Sequence, residues 1–287
     1  MWDLGLSILS SSLIFVVFKY FSVYRVQAQF GIIVNYMVAS AVGILFQDGS
    51  ISWQELPSRP WFPGTLLLGT LFIVVFNLMA RSSQIMGVSV TSVATKMSLV
   101  IPVIVGVILY GEELGSLKII GILLALTAVY FSSVRQNGFH PAGRELLLPF
   151  VVFLGSGVID ASIKYLEATK MTYGDFPLFA SVVFASAAAA GSVIALLQAV
   201  RKPLKIRIRN IVGGVALGVP NFFSIYFILR ALQHPSLNSS SVFTINNVAI
   251  VMLTTLLGMI LFREKLSRLN WVGIGMAIVS ILLVLFF

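Results

Sequence analysis

The 287-residue chain contains no cysteine. That excludes disulfides, thiol catalysis and thiolate metal sites. Charge is almost as scarce, with Asp, Glu, Lys and Arg making up 10% of the residues against roughly 25% in soluble domains. The only two histidines, His140 and His234, fall in connecting segments. Neither a histidine metal site nor a Ser/His/Asp set can therefore be assembled inside an apolar run. No GxxxxGK[ST] phosphate loop is present. The sequence thus predicts no catalytic residue, no metal and no cofactor. What remains is hydrocarbon-compatible: 58% hydrophobic, with a mean hydropathy of +1.00. The net charge of +9 would suggest nucleic acid in a soluble protein. Here the basic residues sit mostly in short connections between apolar runs, so they read as orientation signals and no nucleic-acid partner is expected.

A bilayer-spanning helix needs about 20 apolar residues. Ten stretches qualify: Leu4–Phe18, Phe30–Phe46, Trp61–Met79, Val88–Tyr110, Leu117–Phe131, Leu146–Ile163, Phe176–Leu197, Ile211–Leu229, Ser241–Phe262 and Asn270–Phe287. The first begins almost at Met1 without a basic leader, unlike a cleavable signal peptide. All four tryptophans (Trp2, Trp53, Trp61 and Trp271) fall at or just outside span ends, as an interfacial belt would place them. The reading is an all-α integral membrane protein in a lipid bilayer.

The two halves resemble each other. At an offset of 152, YGEELGSLKIIGIL (Tyr110–Leu123) lies over FREKLSRLNWVGIG (Phe262–Gly275), matching Glu112 to Glu264 and Gly121 to Gly273. At an offset of 145, Leu9–Tyr20 lies over Leu154–Tyr165. A duplicated unit is expected over residues 1–137 and 145–287. A unit of five helices, repeated in tandem, has inverted topology, and such repeats in transporters place their site at the repeat interface near the midplane.

Lys96 is the sharpest candidate residue. It lies about 9 residues into the fourth span, or roughly 14 Å at 1.5 Å per residue, too deep for easy snorkelling. Such a charge has to face protein or water, since facing lipid would cost at least a few kcal/mol. Two readings stay open: a cation for a carboxylate or phosphate on the cargo, or a lysine locked to a carboxylate or to carbonyls freed by Pro102. Asp160 is the only acid well inside a span. It reads as proton carrier, amine ligand or partner of Lys96, or simply as an i,i+4 partner of Lys164. The fourth and sixth spans run the same way, so Lys96 and Asp160 can meet at similar depth. Ser92, Asn77, Asn221, Asn246 and Asn247 complete the candidate substrate-binding residues; each amide alone reads equally well as interhelical glue, as Asn35 does. Pro102 and Pro220 are candidate points of bending or gating. Glu112 and Glu264 read as structural, helix-capping corners. The pairs Gly121/Ala125 and Gly273/Ala277 read as close-packing positions, within the chain or between subunits of a homodimer.

Ten spans as five plus five, Pro102 in the fourth, and the G-E-x-L corner Gly111-Glu112-Glu113-Leu114 leading to Gly121 resemble the EamA-type branch of the drug/metabolite transporter superfamily. The second half departs by carrying Arg263 for the corner glycine and Thr254 where a second proline could stand. The resemblance implies two inverted five-helix repeats. It places spans 1, 3, 4, 6, 8 and 9 around a central cavity, with spans 5 and 10 outside.

The expected function is secondary active transport of small organic metabolites, amino-acid-like or carboxylate- or phosphate-bearing, by alternating access. A coupling proton or counter-substrate and residence in a bacterial inner membrane are further expectations. A non-transporting scaffold or lipid-handling protein is the main alternative. An exporter of hydrophobic cations is disfavoured by Lys96 unless Asp160 neutralises it, and a membrane enzyme has little support. Of the 19 Lys and Arg residues, 13 fall in connections after odd-numbered spans and 5 on the other side. The positive-inside rule then puts both termini outside the cytoplasm, whereas the resemblance implies termini inside.

Overall fold

A computed structural model describes residues 2–46, 54–110, 115–133, 143–171, 176–199, 207–232 and 239–286. The corner holding Glu112, both histidines and Trp53 lie outside these. The helices are α1 (Trp2–Val23), α2 (Ala28–Leu45), α3 (Phe62–Ile85), α4 (Val88–Met97), α5 (Val100–Tyr110), α6 (Ser116–Ser133), α7 (Gly143–Lys170), α8 (Phe176–Ala199), α9 (Ile208–Leu232), α10 (Ser239–Phe262) and α11 (Arg268–Phe286). No strand occurs among the described residues. Among the described residues, eight spans are long and apolar enough to cross a bilayer, and α6 and α11 carry shorter apolar stretches, Ile119–Ser132 and Arg268–Val284. The chain is a multi-pass membrane protein.

The fourth expected span is two helices. α4 ends at Met97, and α5 begins at Val100. Pro102 is the cause: its ring crowds the carbonyl four residues back, at Ser98, and it has no N–H to offer that carbonyl. The Ser98 oxygen accepts instead from the Ile101 N–H at 2.9 Å. The matching stretch of the second half does not break. Thr254 holds the place of Pro102 at the 152-residue offset, and α10 runs unbroken from Ser239 to Phe262. Pro220 also sits inside a helix that continues past it, α9.

α6 and α11 pack on each other within one chain. A side chain at Gly121 would come within 2.8 Å of Val284 Cγ2, and one at Gly273 would strike the backbone nitrogen of Ser132. Ser280 Oγ donates to the Gly121 carbonyl at 2.7 Å, and Asn270 Nδ2 to the Ser132 carbonyl at 2.7 Å. Low numbers on one helix meet high numbers on the other at both points, so the two run antiparallel. The small-residue pairs are thus occupied inside the chain rather than free for a partner subunit.

One expectation from tryptophan placement needs correcting. Trp2 and Trp271 are 89% and 50% exposed, but Trp61 is fully buried, edge-on to Phe179 with ring centroids 5.7 Å apart. It is a core side chain rather than an interfacial one. The apolar centre around it includes Phe18, Phe76, Tyr36 and Phe184, with the Tyr36 hydroxyl bonded to the Phe72 carbonyl at 3.0 Å.

Candidate functional site

α7 divides into two faces. Its exposed residues Leu147, Phe150, Leu154, Val158 and Tyr165 recur at three- to seven-residue spacing, one outward face suited to lipid. Asp160 is exposed as well, yet it lies two residues beyond Val158, about 200° further round the helix. Its neighbours on that inward face are Phe153 and Ser156, 2% and 6% exposed. An exposed carboxylate thus sits on the face turned toward α4, beside Ser98.

Lys96 occupies the last turn of α4. Every residue from Val88 to Ala94 is buried, whereas Thr95 and Lys96 are half-buried, as are Ile101, Pro102 and Val103 beyond the break. Met97, Ser98 and Val100 between them are buried. On α7, Ile163 and Lys164 are half-buried too.

Lys96 and Asp160 act on each other electrostatically, with no direct ion pair between them among the described residues. Ser98, at the break, joins the two elements. Its Oγ lies 3.1 Å from Asp160 Oδ2 and 2.6 Å from the Thr95 carbonyl oxygen, and its one proton serves one of them at a time. One turn before Asp160, the buried Ser156 hydroxyl has no hydrogen-bond partner. A broken helix thus ends beside a lysine, a carboxylate and two hydroxyls. That arrangement can take both an anionic and a donor-bearing group from a small molecule.

The other candidates lie elsewhere. Ser92 is fully buried and accepts from Thr254 Oγ1 at 2.7 Å, tying α4 to α10. Asn221 Nδ2 donates to Asn35 Oδ1 at 3.2 Å between α9 and α2. Asn246 Oδ1 accepts from Ser7 Oγ at 3.2 Å, and that hydroxyl also lies 2.9 Å from the Ser224 carbonyl. Asn247, next to Asn246 on α10, is half-buried. Asn77 bonds the Ile73 carbonyl of its own helix at 2.7 Å, and its spacing puts it on the face of the exposed Leu66, Val74 and Arg81. The structure brings Lys96 and Asp160 together and leaves Ser92, Asn221 and Asn246 in helix–helix bonds.

Residues 4–134 match the EamA-like transporter family. The chain belongs to that family. An uncharacterized protein of Haemophilus influenzae is 30% identical over 214 residues, covering 74% of this chain and 71% of the relative. A crystal structure with 16% sequence identity superposes with a TM-score of 0.55 over 96% of this chain and 95% of the other, a likeness of fold alone. In this EamA-type member of the drug/metabolite transporter superfamily, a carboxylate of the second half joins the two halves of the chain.

Glu264 is the residue whose partner went unread. The sequence reads it as a helix-capping corner; the helix it caps lies in the other half of the chain. Its carboxylate accepts from the backbone N–H of Val88 at 2.7 Å and of Ser89 at 3.4 Å, and lies 3.1 Å from Ser89 Oγ. A carboxylate at a helix N-terminus satisfies orphan donors and opposes the positive dipole end. The available signal was Gly87, a glycine directly before an apolar span. Its φ of 107° is one that side-chain-bearing residues rarely adopt.

Proposed function

We propose that the chain is a secondary carrier of small organic metabolites, amino-acid-like or bearing a carboxylate or phosphate, that works by alternating access. One observation carries this reading: Lys96 on α4 and Asp160 on α7 lie close enough to act on each other, with no direct ion pair between them among the described residues. A broken helix at mid-membrane frees backbone groups where a cargo can use them. A lysine and a carboxylate that are not locked together leave each charge available to the cargo. Family membership supports transport over enzymatic activity. The reciprocal contacts of Gly121 and Gly273, 152 residues apart, support ten spans arranged as two inverted five-helix repeats. We further propose residence in a bacterial inner membrane.

The test is counterflow. Purified protein goes into liposomes loaded with an unlabelled panel of amino acids, short carboxylates and sugar phosphates, and each labelled panel member is offered outside. Accumulation of a labelled compound above its equilibrium level, lost in empty liposomes, supports a carrier. Flat traces across the panel, from protein shown to be folded, would favour the scaffold or lipid-handling alternative.

A further inference from the structure

α8 is short of bulk along one side. Ala185, Ser186, Ala189 and Ala190 follow one another down it, and with Leu66 and Thr70 of α3 they line a groove of about 470 Å³. The floor is shut. A Cβ at Gly69 would lie 2.6 Å from the Ala187 nitrogen, and one at Gly43 would strike Ser181 Oγ, so α3 and α2 both close on α8 beneath it. The rim is exposed at Leu66 and Val193 and continues into the exposed Leu67, Leu196 and Leu197. Both α3 and α8 are apolar enough to cross a bilayer, so the groove opens onto hydrocarbon.

The lining hydroxyls of Thr70, Ser40 and Ser181 are already donated to backbone carbonyls, of Leu66 at 3.0 Å, Ser181 at 3.0 Å and Pro177 at 2.9 Å. A polar occupant finds no free donor among them. The groove is also thin. Its lining runs from Leu178 to Val193 on α8, roughly 22 Å at 1.5 Å per residue. Spread over that length, 470 Å³ leaves a section about 5 Å across. A helix with side chains is about 10–12 Å across and does not enter. A row of methylenes, in contact at about 4 Å, does, and an empty groove would forfeit those contacts. At the end where α3 begins, Leu56 of the 3-10 turn Leu56–Ser58 closes the groove. Glu55 and Arg59 flank that turn with exposed side chains 4.0 Å apart, a pair worth little in water.

We propose that this groove binds one acyl chain of a bilayer phospholipid whose headgroup carries both an ammonium and a phosphate. The chain fills the gap between α3 and α8. Glu55 takes the ammonium and Arg59 the phosphate. α3 and α8 belong to opposite halves of the chain, so the lipid braces the halves from outside. No cargo enters this role, and neither Lys96 nor Asp160 takes part in it.

The test uses the purified full-length chain and dioleoyl phosphatidylethanolamine. Lipid held after a detergent wash is counted by native mass spectrometry. Ala189→Phe plugs the groove, and Ala216→Phe adds the same bulk at an exposed position of α9. Wild type and Ala216→Phe should keep one lipid per chain, and Ala189→Phe at least tenfold less. Equal retention by the plugged variant, or none by wild type, overturns the proposal. A dimer that Ala189→Phe splits would assign the groove to a second copy and overturn it as well. Dioleoyl phosphatidylglycerol, which lacks the ammonium, should be held at least threefold less; equal retention overturns the roles of Glu55 and Arg59. A second measurement needs no variant and decides the matter should Ala189→Phe fail to fold. Phosphatidylethanolamine with a diazirine in its chain is photolysed in liposomes holding wild type. Adducts should fall at least fivefold more densely on residues 178–193 of α8 than around the exposed Val272 and Val279 of α11. Even labelling overturns the proposal. Counterflow plays no part in these readouts, so they give their answer even if the chain carries nothing in the panel.

Discussion

Glu264, two residues past the end of α10, accepts a 2.7 Å hydrogen bond from the Val88 N–H at the start of α4. To present that carboxylate the chain has to turn sharply after Phe262. Arg263 makes the turn in the left-handed conformation, φ 51°. This is the position where the first half carries Gly111, and a glycine is the ordinary choice for such a turn. Arg263→Gly relieves the strain and raises the stability of the detergent-purified protein by up to about 1–2 kcal/mol, the cost of left-handed backbone for a residue with a Cβ. The check is thermal unfolding, in which an unchanged or lower melting temperature contradicts the account.

The α6–α11 seam predicts a contrast between two neighbouring glycines. At Gly273 a side chain meets the backbone of Ser132, whereas at Gly275 nothing lies within 4 Å. Gly273→Ala should lose about 1–3 kcal/mol through overpacking. Gly275→Ala should change stability little or raise it slightly, since alanine suits a helix better by about 1 kcal/mol. Equal effects of the two substitutions would mean the helices do not approach as closely as described.

Asn221 and Asn35 bond across α9 and α2, and Asn35 Nδ2 is already buried without a partner. Asn221→Ala leaves Asn35 with neither bond and should cost about 0.6–1.7 kcal/mol, the range measured for polar pairs between membrane helices. Cargo affinity in counterflow should stay within twofold of wild type. A loss of affinity without a loss of stability would return Asn221 to the site.

Lys96 and Asp160 separate a binding role from a structural one. Lys96→Met keeps the length of the stem and removes the charge. If the lysine meets the cargo, this variant folds, reaches the membrane and loses counterflow by more than tenfold. Ligand-induced thermal stabilisation disappears with it. A lysine that serves only to neutralise Asp160 gives another pattern: Lys96→Met destabilises the protein, and adding Asp160→Asn restores both stability and transport. Wild-type transport in that double variant excludes the binding role.

Orientation follows from the basic connections. With 13 Lys and Arg residues on one side and 5 on the other, both termini are predicted outside the cytoplasm. A carboxyl-terminal fusion should then show active periplasmic phosphatase and a dark fluorescent protein. Bright fluorescence would reverse the assignment.

The spans were readable because a helix in lipid must be apolar along its whole length, so composition alone marks it. Lys96 and Asp160 stood out for the same reason: a charge inside such a stretch is rare. Pro102 announced a distortion, but proline is compatible with either a kink or a full break. Pro220 lies in a helix that continues, so the residue alone does not say which. The asparagines were harder still. An amide can bond across helices or line a lumen, and only the neighbour decides; for Asn221 that neighbour is Asn35, 186 positions away. Trp61 lies at the end of a span in sequence, yet the packing of Phe179 covers it. The partner of Glu264 was illegible because capping between halves depends on how the halves dock.

The Glu264 carboxylate also dictates what can stand around it. A Cβ at Gly87 would lie 2.7 Å from one carboxylate oxygen, and a Cβ at Gly258 would lie 2.5 Å from the other. Gly258 and Glu264, six residues apart, and Gly87 in the other half of the chain therefore form one unit of inheritance. Among relatives, the glutamate should be accompanied by both glycines, and a lineage that drops the acid becomes free to gain side chains at both. Such joint drift would leave a record of the contact between the halves in descendants where the acid itself is gone.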